Sequence, residues 1–328
     1  MIFPVIKPKK THFHPIPSIA VTSISFSKNT ALRKKLKNIF PNSFFNESGN
    51  HLSEQKLINF LKNTDAAIVG SEQITDKVLS QTSQLKIISK YGVGLDSIDL
   101  ESLKKRNVAL GWTAGVNQRS VSELTLCFML GLCRNVFESG YKLKKAQWEK
   151  SGGQQLTGKT IGIIGCGNIG SDLIKLLKPF KCNILVNDII DKSEFCVIYN
   201  ALQTDLNNLI AKSDLISLHV PLTAATTKLV NQSFLGGMKS SAYLINTSRG
   251  NVVDQFSLKR ALQENKIAGA GLDIFSDKPP SDQQFLDLPN LMSTPHIGGN
   301  AREAIELMGQ SAIEHLVKYF TGHSFLEV

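Results

Sequence analysis

The chain has 328 residues, which is enough for two ordinary domains with separate cores. Hydrophobic residues make up 42% of it and charged residues 20%, a composition typical of a folded enzyme and not of a disordered chain. The net charge is +10, but the basic runs are not interleaved with aromatic residues and no apolar run is long enough to span a bilayer. We therefore expect neither nucleic acid nor a membrane as a partner, and a small anion as the natural ligand.

Five cysteines are scattered through the sequence without a CxxC pair or any metal-ligand spacing. This pattern favours reduced thiols over a disulfide framework. It predicts a cytoplasmic protein without a bound metal.

The first third of the chain alternates between short apolar strands and amphipathic helices. Residues 1–18 are expected to form an irregular arm. The predicted strands are Ile19–Phe26, Ala66–Val69, Lys86–Ser89 and Val108–Gly111, and the predicted helices are Leu52–Lys62 and Ile98–Arg106. Such alternation predicts parallel strands joined by helices.

A mostly apolar helix follows, with Ser120 and Glu123 at the spacing of a capping box. The pattern predicts that this helix continues to Val136. Because it is apolar around most of its circumference, we expect it to be buried between domains or subunits.

A second alternating series begins near Thr160. Its predicted strands are Ile161–Ile164, Ile184–Asp188, Leu215–Val220, Tyr243–Asn246 and Gly269–Ile274. The last segment, Ala301–Tyr319, has the pattern of an amphipathic helix that returns to the first domain.

The first strand of this series leads into a G-x-G-x-x-G motif formed by Gly165, Gly167 and Gly170. Such glycines permit a tight turn, close approach of a pyrophosphate and close helix packing. Asp188 ends the next strand, where a carboxylate would bind the ribose hydroxyls and repel a 2′-phosphate. The segment therefore predicts a dinucleotide site for NAD rather than NADP, with Asn168 and Ile169 in the same turn.

A second glycine motif, Gly153–Thr160, matches the P-loop pattern GxxxxGK[ST]. A P-loop needs a strand before it and a helix after it. Here a helical segment precedes the motif and a strand follows, so we reject nucleotide binding at this point.

Small polar clusters also follow several predicted strands: Leu218–Pro221, Asn246–Gly250, Thr294–Gly299 and, in the first domain, Gly92–Asp96. Ligands gather at strand ends in open α/β sheets. Together with the glycine turn, these clusters make the chain resemble the D-2-hydroxyacid dehydrogenases, and within them the phosphoglycerate-dehydrogenase-like members without a C-terminal regulatory domain.

The resemblance implies an α/β fold with two doubly wound lobes. Residues 1–116 with 297–328 would form a flavodoxin-like substrate domain, and residues 117–296 an NAD-binding Rossmann domain. The active site would lie in the cleft between the lobes, and the chain would form a homodimer through the cofactor domain.

The resemblance also implies the roles of individual residues. Arg249 would bind the carboxylate and carbonyl of the substrate, His296 would donate or accept the proton, and the Gly92, Val93 and Gly94 backbone would hold the carboxylate. Asp273 would approach the nicotinamide carboxamide. The other expected cofactor contacts are His219, Pro221, Thr226, Thr247 and Gly298.

One residue departs from the family pattern. Lys278 stands where the family has a glutamate that pairs with the catalytic histidine, and an ammonium there would disfavour a charged His296. Asp277 or Asp282 would have to replace that carboxylate. Otherwise His296 is expected to have a lowered pKa.

The sequence thus predicts an NAD-dependent oxidoreductase that interconverts a 2-keto acid and a D-2-hydroxy acid, with D-3-phosphoglycerate or a related small or sugar-derived acid as the substrate. The alternative is an NADH-sensing binding protein of the same fold with weakened catalysis. Lys278 favours the alternative, and the presence of Arg249 and His296 counts against it.

Overall fold

The computed structural model describes residues 15–322, so most of the predicted N-terminal arm lies outside the described residues. The chain divides into two compact units: the first takes residues up to Asn117 together with those from Arg302, and the second spans Gln118–Ala301. The domain boundaries predicted from the sequence lie between residues 116 and 117 and between residues 296 and 297. The boundaries of the two units in the structure lie between residues 117 and 118 and between residues 301 and 302.

The first unit is built on a five-stranded parallel sheet in the order β2-β1-β3-β4-β5, the flavodoxin-like order. Its elements up to residue 111 are β1 (Ile19–Val21), α1 (Ile24–Lys28), α2 (Thr30–Ile39), β2 (Ser43–Phe45), α3 (Glu54–Leu61), β3 (Ala66–Val69), α4 (Asp76–Ser80), β4 (Ile87–Lys90), α5 (Leu100–Lys105) and β5 (Ala109–Gly111).

Side chains of β1 alternate between two cores, as the pleat of a strand requires. Ile19 and Val21 pack on one face of the sheet and Ala20 on the other. Both faces are therefore covered, which is the usual state of a parallel sheet.

The sequence-based prediction extends the first strand too far. β1 ends at Val21 because the Ser23 hydroxyl caps α1, accepting a hydrogen bond from the Phe26 amide at 3.4 Å. The short strand β2 was not predicted at all. The other three predicted strands of this unit agree with β3, β4 and β5 to within a residue.

The second unit is built on a seven-stranded parallel sheet in the order β12-β11-β10-β9-β6-β7-β8. This is the Rossmann order. The chain adds β7 and β8 on one side of β6 and then continues with β9 on the other side, while all strands stay parallel. The elements are α6 (Gln118–Cys133), α7 (Val136–Lys144), β6 (Thr160–Ile164), α8 (Asn168–Leu177), β7 (Asn183–Asn187), α9 (Ser193–Tyr199), β8 (Ala201–Gln203), α10 (Leu206–Lys212), β9 (Leu215–Leu218), α11 (Gln232–Gly237), β10 (Tyr243–Asn246), α12 (Gln255–Gln263), β11 (Gly269–Leu272), α13 (Gln283–Leu286) and β12 (Leu291–Ser293). Two parallel sheets with helices on their faces confirm the predicted α/β class.

The predicted capping box is wrong. α6 begins at Gln118, so Ser120 lies inside the helix and Glu123 is exposed on its surface. The helix ends at Cys133 and a separate helix, α7, starts at Val136. The buried face of α6 packs within the second unit, on α8 and on the sheet, and this packing accounts for the apolar sequence.

The last helix, α14 (Arg302–Phe320), belongs to the first unit, as the sequence predicts. It packs on β4 with Ala312, Ile313 and Leu316 buried. Within residues 15–322 no single helix is long and apolar enough to span a bilayer, and only the bent pair α6–α7 meets that test, by length and composition alone.

Candidate active site

The turn after β6 shows why two of its three glycines cannot be replaced. Gly165 has φ +91°, and a Cβ added there would lie 2.6 Å from the His219 carbonyl oxygen. A Cβ on Gly170 would lie 2.1 Å from the Gly165 carbonyl oxygen. Both residues are buried, so these glycines allow the β6 turn to pack against α8 and the end of β9.

Gly167 differs from them because it faces open space. It is exposed, its φ is −82°, and no heavy atom lies within 4 Å of the position that a Cβ would take. It is also the N-cap of α8 and offers no side chain to the first amides of that helix. Free helix amides beside an unfilled space suit a phosphate group, so these residues fit the pyrophosphate of a dinucleotide.

Asp188 lies directly after β7 and closes the same turn. Its Oδ2 accepts a hydrogen bond from the Cys166 amide at 2.7 Å and its Oδ1 accepts one from the Ile190 amide at 2.9 Å. These bonds fix the carboxylate beside the glycine turn while the residue stays half-exposed. It lies where a ribose diol is bound in a Rossmann fold.

The loop after β9 carries the next three predicted cofactor residues. His219 Nε2 lies 2.9 Å from Ser217 Oγ, and burial lowers the pKa of His219 to about 3, so the ring is neutral. Thr226 Oγ1 donates to the Pro221 carbonyl at 2.6 Å and thereby closes the loop. The neutral His219 next to Gly165 forms a wall of the turn rather than a second acid–base group.

The structure of Gly153–Thr160 lacks the helix that a P-loop needs after its glycine-rich segment. Residues 153–159 form no helix, and the motif runs directly into β6. The Lys159 ammonium donates to the Gln154 side chain. This confirms that the segment does not have the strand–loop–helix form of a P-loop.

Arg249 is presented by a turn at the end of β10. The buried Asn246 side chain donates to the Arg249 carbonyl at 2.9 Å and accepts from the Ser248 amide at 3.0 Å. A Cβ on the following Gly250 would lie 2.1 Å from the Phe275 carbonyl, so only glycine lets this turn meet the loop after β11. Thr247 is buried and hydrogen-bonded to Thr125 on α6.

Asp273 lies at the end of β11, with 1% of its surface exposed. Its Oδ1 accepts from Thr294 Oγ1 at 2.6 Å and from the Ile297 amide at 2.7 Å, and its Oδ2 accepts from the Gly298 amide at 2.8 Å. Asp273 therefore holds the segment on both sides of His296. The predicted contact of Asp273 with the nicotinamide stays a prediction.

His296 follows β12 in an unusual backbone conformation. Its φ is +58°, and its amide donates to the carbonyls of Asp273 and Thr294 at 2.9 and 3.0 Å. A left-handed non-glycine residue costs about 1 kcal/mol or more and persists only where its surroundings hold it. The bonds to Asp273 supply that constraint and direct the accessible imidazole outward from the strand end.

Lys278 meets His296 in the loop after β11. Its Nζ lies 3.3 Å from His296 Nδ1. An ammonium can only donate, so Nδ1 must accept and the ring proton of a neutral His296 lies on Nε2. The lysine therefore selects the neutral tautomer with its proton on Nε2. A glutamate in its place would select the tautomer with the proton on Nδ1.

Neither aspartate replaces the missing glutamate. Asp277 accepts hydrogen bonds from Ser276 and Ser281, and Asp282 is paired with Lys259 at 2.8 Å. The pKa of His296 is lowered from its ordinary value, first by partial burial, then by Lys278 and Arg249, with Asp273 opposing them. The pKa of His296 is thus lowered, as expected, although burial contributes more to the shift than Lys278 does.

The predicted carboxylate turn lies in the first unit, after β4. Gly92 has φ +128°, which L side chains rarely adopt, and the Val93 carbonyl accepts a hydrogen bond from Trp112 Nε1 at 2.9 Å. Gly92, Val93 and Gly94 are partly exposed.

Two positioning residues were missed from the sequence. Thr294 binds Asp273 and belongs to the same motif as His296, which was the available signal. Ser120, interpreted as a helix cap, instead donates to the Gly298 carbonyl at 2.5 Å and accepts from the Ala301 amide. That contact joins positions far apart in the chain, and no local pattern indicates it.

Comparison with known proteins decides the family. The family model described as D-isomer specific 2-hydroxyacid dehydrogenase, NAD binding domain, matches residues 126–298. The chain belongs to this family. It is an NAD-dependent enzyme of the D-2-hydroxyacid dehydrogenase family.

Relatives within the D-2-hydroxyacid dehydrogenases carry different substrate names. The chain is 34% identical over 275 residues to hydroxypyruvate reductase of Thermotoga maritima, a match covering 82% of this chain and 89% of that protein. It is 37% identical over 279 residues to glyoxylate reductase of Thermofilum pendens, covering 82% of each. A 34% match to D-3-phosphoglycerate dehydrogenase of Methanocaldococcus jannaschii covers 83% of this chain but only 52% of that protein.

Solved structures agree with the fold. The D-lactate dehydrogenase of Aquifex aeolicus, complexed with NAD and lactic acid, matches with a TM-score of 0.80 and 26% identity over 93% of this chain and 96% of that one.

Proposed function

We propose that the chain interconverts a short 2-keto acid and its D-2-hydroxy acid, with Arg249 and His296 as the catalytic residues. The observation that carries this proposal is their placement: Arg249 follows β10 and His296 follows β12, the strands on either side of β11, and the turn of each is held by a buried polar side chain, Asn246 or Asp273. Arg249 lies close enough to His296 for its charge to lower the pKa of the imidazole.

When bound, NADH supplies a hydride to C2 of the keto acid. The Arg249 guanidinium stabilises the negative charge that develops on the carbonyl oxygen. His296 gives the proton to that oxygen from Nε2, the nitrogen on the side away from Lys278. In the reverse direction Nε2 takes the hydroxyl proton, which requires the neutral ring to carry its proton on Nδ1 and the Lys278 ammonium to move away from that nitrogen.

Lys278 sets the balance between the two directions. Reduction needs a charged His296, whereas oxidation needs a neutral ring whose Nε2 is free to accept a proton. Since the pKa of His296 is lowered, reduction slows as the pH rises through a value below the ordinary 6.5, and oxidation stays active down to that pH.

The proposal also includes the identity of the substrate. D-3-phosphoglycerate, or a related small acid, is the substrate proposed from sequence, and the names of the relatives support a short hydroxy acid of this kind. Rates of NADH oxidation with glyoxylate, hydroxypyruvate, pyruvate and phosphohydroxypyruvate test it. We expect turnover of at least one acid, and turnover of none would reject an active dehydrogenase.

The Lys278–His296 pair favours one alternative, a protein that binds NADH as a signal and has lost efficient catalysis. The same assay separates the two functions, because a sensor would bind NADH, as titrated by its fluorescence, without oxidising it in the presence of any of these acids.

A homodimer through the NAD-binding unit forms part of the proposal. No residue of α7 is buried, and its apolar side chains Val136, Phe137, Tyr141 and Leu143 are each more than half exposed. Such a surface suits an interface between copies. Light scattering of the native chain and of Phe137→Asp tests it, with a dimer and a monomer as the expected results. The cytoplasmic location stays a prediction.

A further inference from the structure

The turn after β4 is held by a tryptophan from the neighbouring strand. Trp112 is the first residue after β5, which pairs with β4 in the sheet, and its indole N–H donates to the Val93 carbonyl at 2.9 Å. The indole nitrogen can only donate, so this bond has a single direction. The side chain is 39% exposed, so it lies at the surface of the turn rather than in the core beneath it.

The backbone on both sides of Trp112 is anchored on α14. A Cβ on Gly111 would overlap His315, so only glycine lets the end of β5 lie this close to the helix. Thr113 Oγ1 lies 2.9 Å from His315 Nε2 and accepts a hydrogen bond from Ser311 Oγ at 2.8 Å. The indole therefore extends from a fixed backbone to the turn.

The bond to Trp112 also fixes the direction of the next amide. The peptide between Val93 and Gly94 is planar and trans, so its carbonyl and its N–H point to opposite sides. With the carbonyl bound to the indole, the Gly94 N–H points away from Trp112. Within residues 15–322 the amides of Gly92, Val93 and Gly94 donate to no protein acceptor, and all three residues are partly exposed. Accessible amides held in this way suit a bound anion.

We propose that Trp112 is a positioning residue that directs the Gly94 amide at the carboxylate of the keto acid. This inference rests on the proposed function and deepens it. The carboxylate keeps its charge throughout the reaction, whereas the carbonyl oxygen on C2 gains charge. A hydrogen bond to the carboxylate thus stabilises substrate and transition state alike, and its loss raises KM without lowering kcat.

The test is Trp112→Phe, which keeps an aromatic ring and removes the N–H. In the full chain with NADH and a keto acid that the native enzyme reduces, KM for the acid should rise about three- to tenfold while kcat changes less than about twofold. The affinity for NADH should not change, because Trp112 belongs to the first unit. Thermal unfolding checks that the variant is folded.

The matched control is Trp148→Phe, the same substitution at a tryptophan of the second unit that is 75% exposed. It should leave KM unchanged. Because the chain has only two tryptophans, this variant also leaves Trp112 as the single fluorophore of its kind. Oxamate, an unreactive molecule with a carboxylate next to a carbonyl, should change the Trp112 emission of the NADH-loaded variant in a saturable way.

An unchanged KM in folded Trp112→Phe would overturn the inference, and so would a lower kcat at unchanged KM. Trp112 emission that stays constant while calorimetry shows oxamate binding would place the carboxylate elsewhere. Absence of turnover by the native chain with every keto acid is a different result, which rejects the proposed function. Calorimetric binding of oxamate to the NADH-loaded native chain and Trp112→Phe then decides the role of Trp112, and equal affinities or no binding to either would contradict it.

Discussion

The glycine turn proposed to hold NAD and the loop that carries His296 both lie at strand ends of the same sheet, yet they are built differently. The NAD turn is a single short segment in which the backbone makes the site, and its glycines and Asp188 all have the types that the family pattern requires. The His296 loop is held from distant parts of the chain, by Asp273 and Ser120. Its chemistry depends on individual side chains, so one substitution, Lys278, can alter the acid–base group while leaving NAD binding intact.

The largest expected effect separates these two regions. His296→Ala should lower kcat/KM by about 10²–10⁴-fold, because it removes the acid–base group, while the affinity for NADH stays unchanged. Steady-state rates and NADH fluorescence titration measure the two quantities. His51→Ala, at an exposed histidine of the first unit, is the control. Turnover above a tenth of the native value in His296→Ala would contradict the assigned role.

The converse experiment damages the NAD turn alone. Gly167→Ala should weaken NADH binding by about tenfold or more, because the methyl group occupies the space assigned to the pyrophosphate. The Tm should not fall, since no atom lies within 4 Å of that methyl group. Gly236→Ala in α11, which also meets no atom within 4 Å, is the matched control. Undiminished affinity in Gly167→Ala would place the cofactor elsewhere.

A smaller effect tests how the His296 loop is held. Asp273→Asn should lower the free energy of unfolding by about 2 kcal/mol, because the amide nitrogen cannot accept a hydrogen bond from the Gly298 or Ile297 amide. Urea unfolding without NAD measures this, with the exposed Asp287→Asn as the control. Equal stability of the two variants would show that Asp273 does not hold the loop.

The same contrast explains what the sequence could predict. The alternation of strands and helices, the glycine turn and Asp188 are local patterns, and β3 and β10 were predicted to the residue. The strands β2, β8 and β12 were missed, and each has only three residues, which carry little periodicity.

Contacts between residues far apart in the chain could not be predicted from the sequence. The pattern at Ser120 resembled a cap, whereas its hydroxyl binds Gly298 in another part of the chain. The Lys278–His296 contact could be anticipated only through the family resemblance.

The most direct test of this account is the pH dependence of kcat/KM for keto-acid reduction in the native enzyme and in Lys278→Glu. The native profile should fall through an apparent pKa below 6.5, and the glutamate should raise that apparent pKa by about one unit or more by favouring the charged imidazole. Lys266→Glu, which makes the same charge change at an exposed position away from the strand ends, should follow the native profile. Profiles of native enzyme and Lys278→Glu that cannot be distinguished would contradict the claim that Lys278 controls His296.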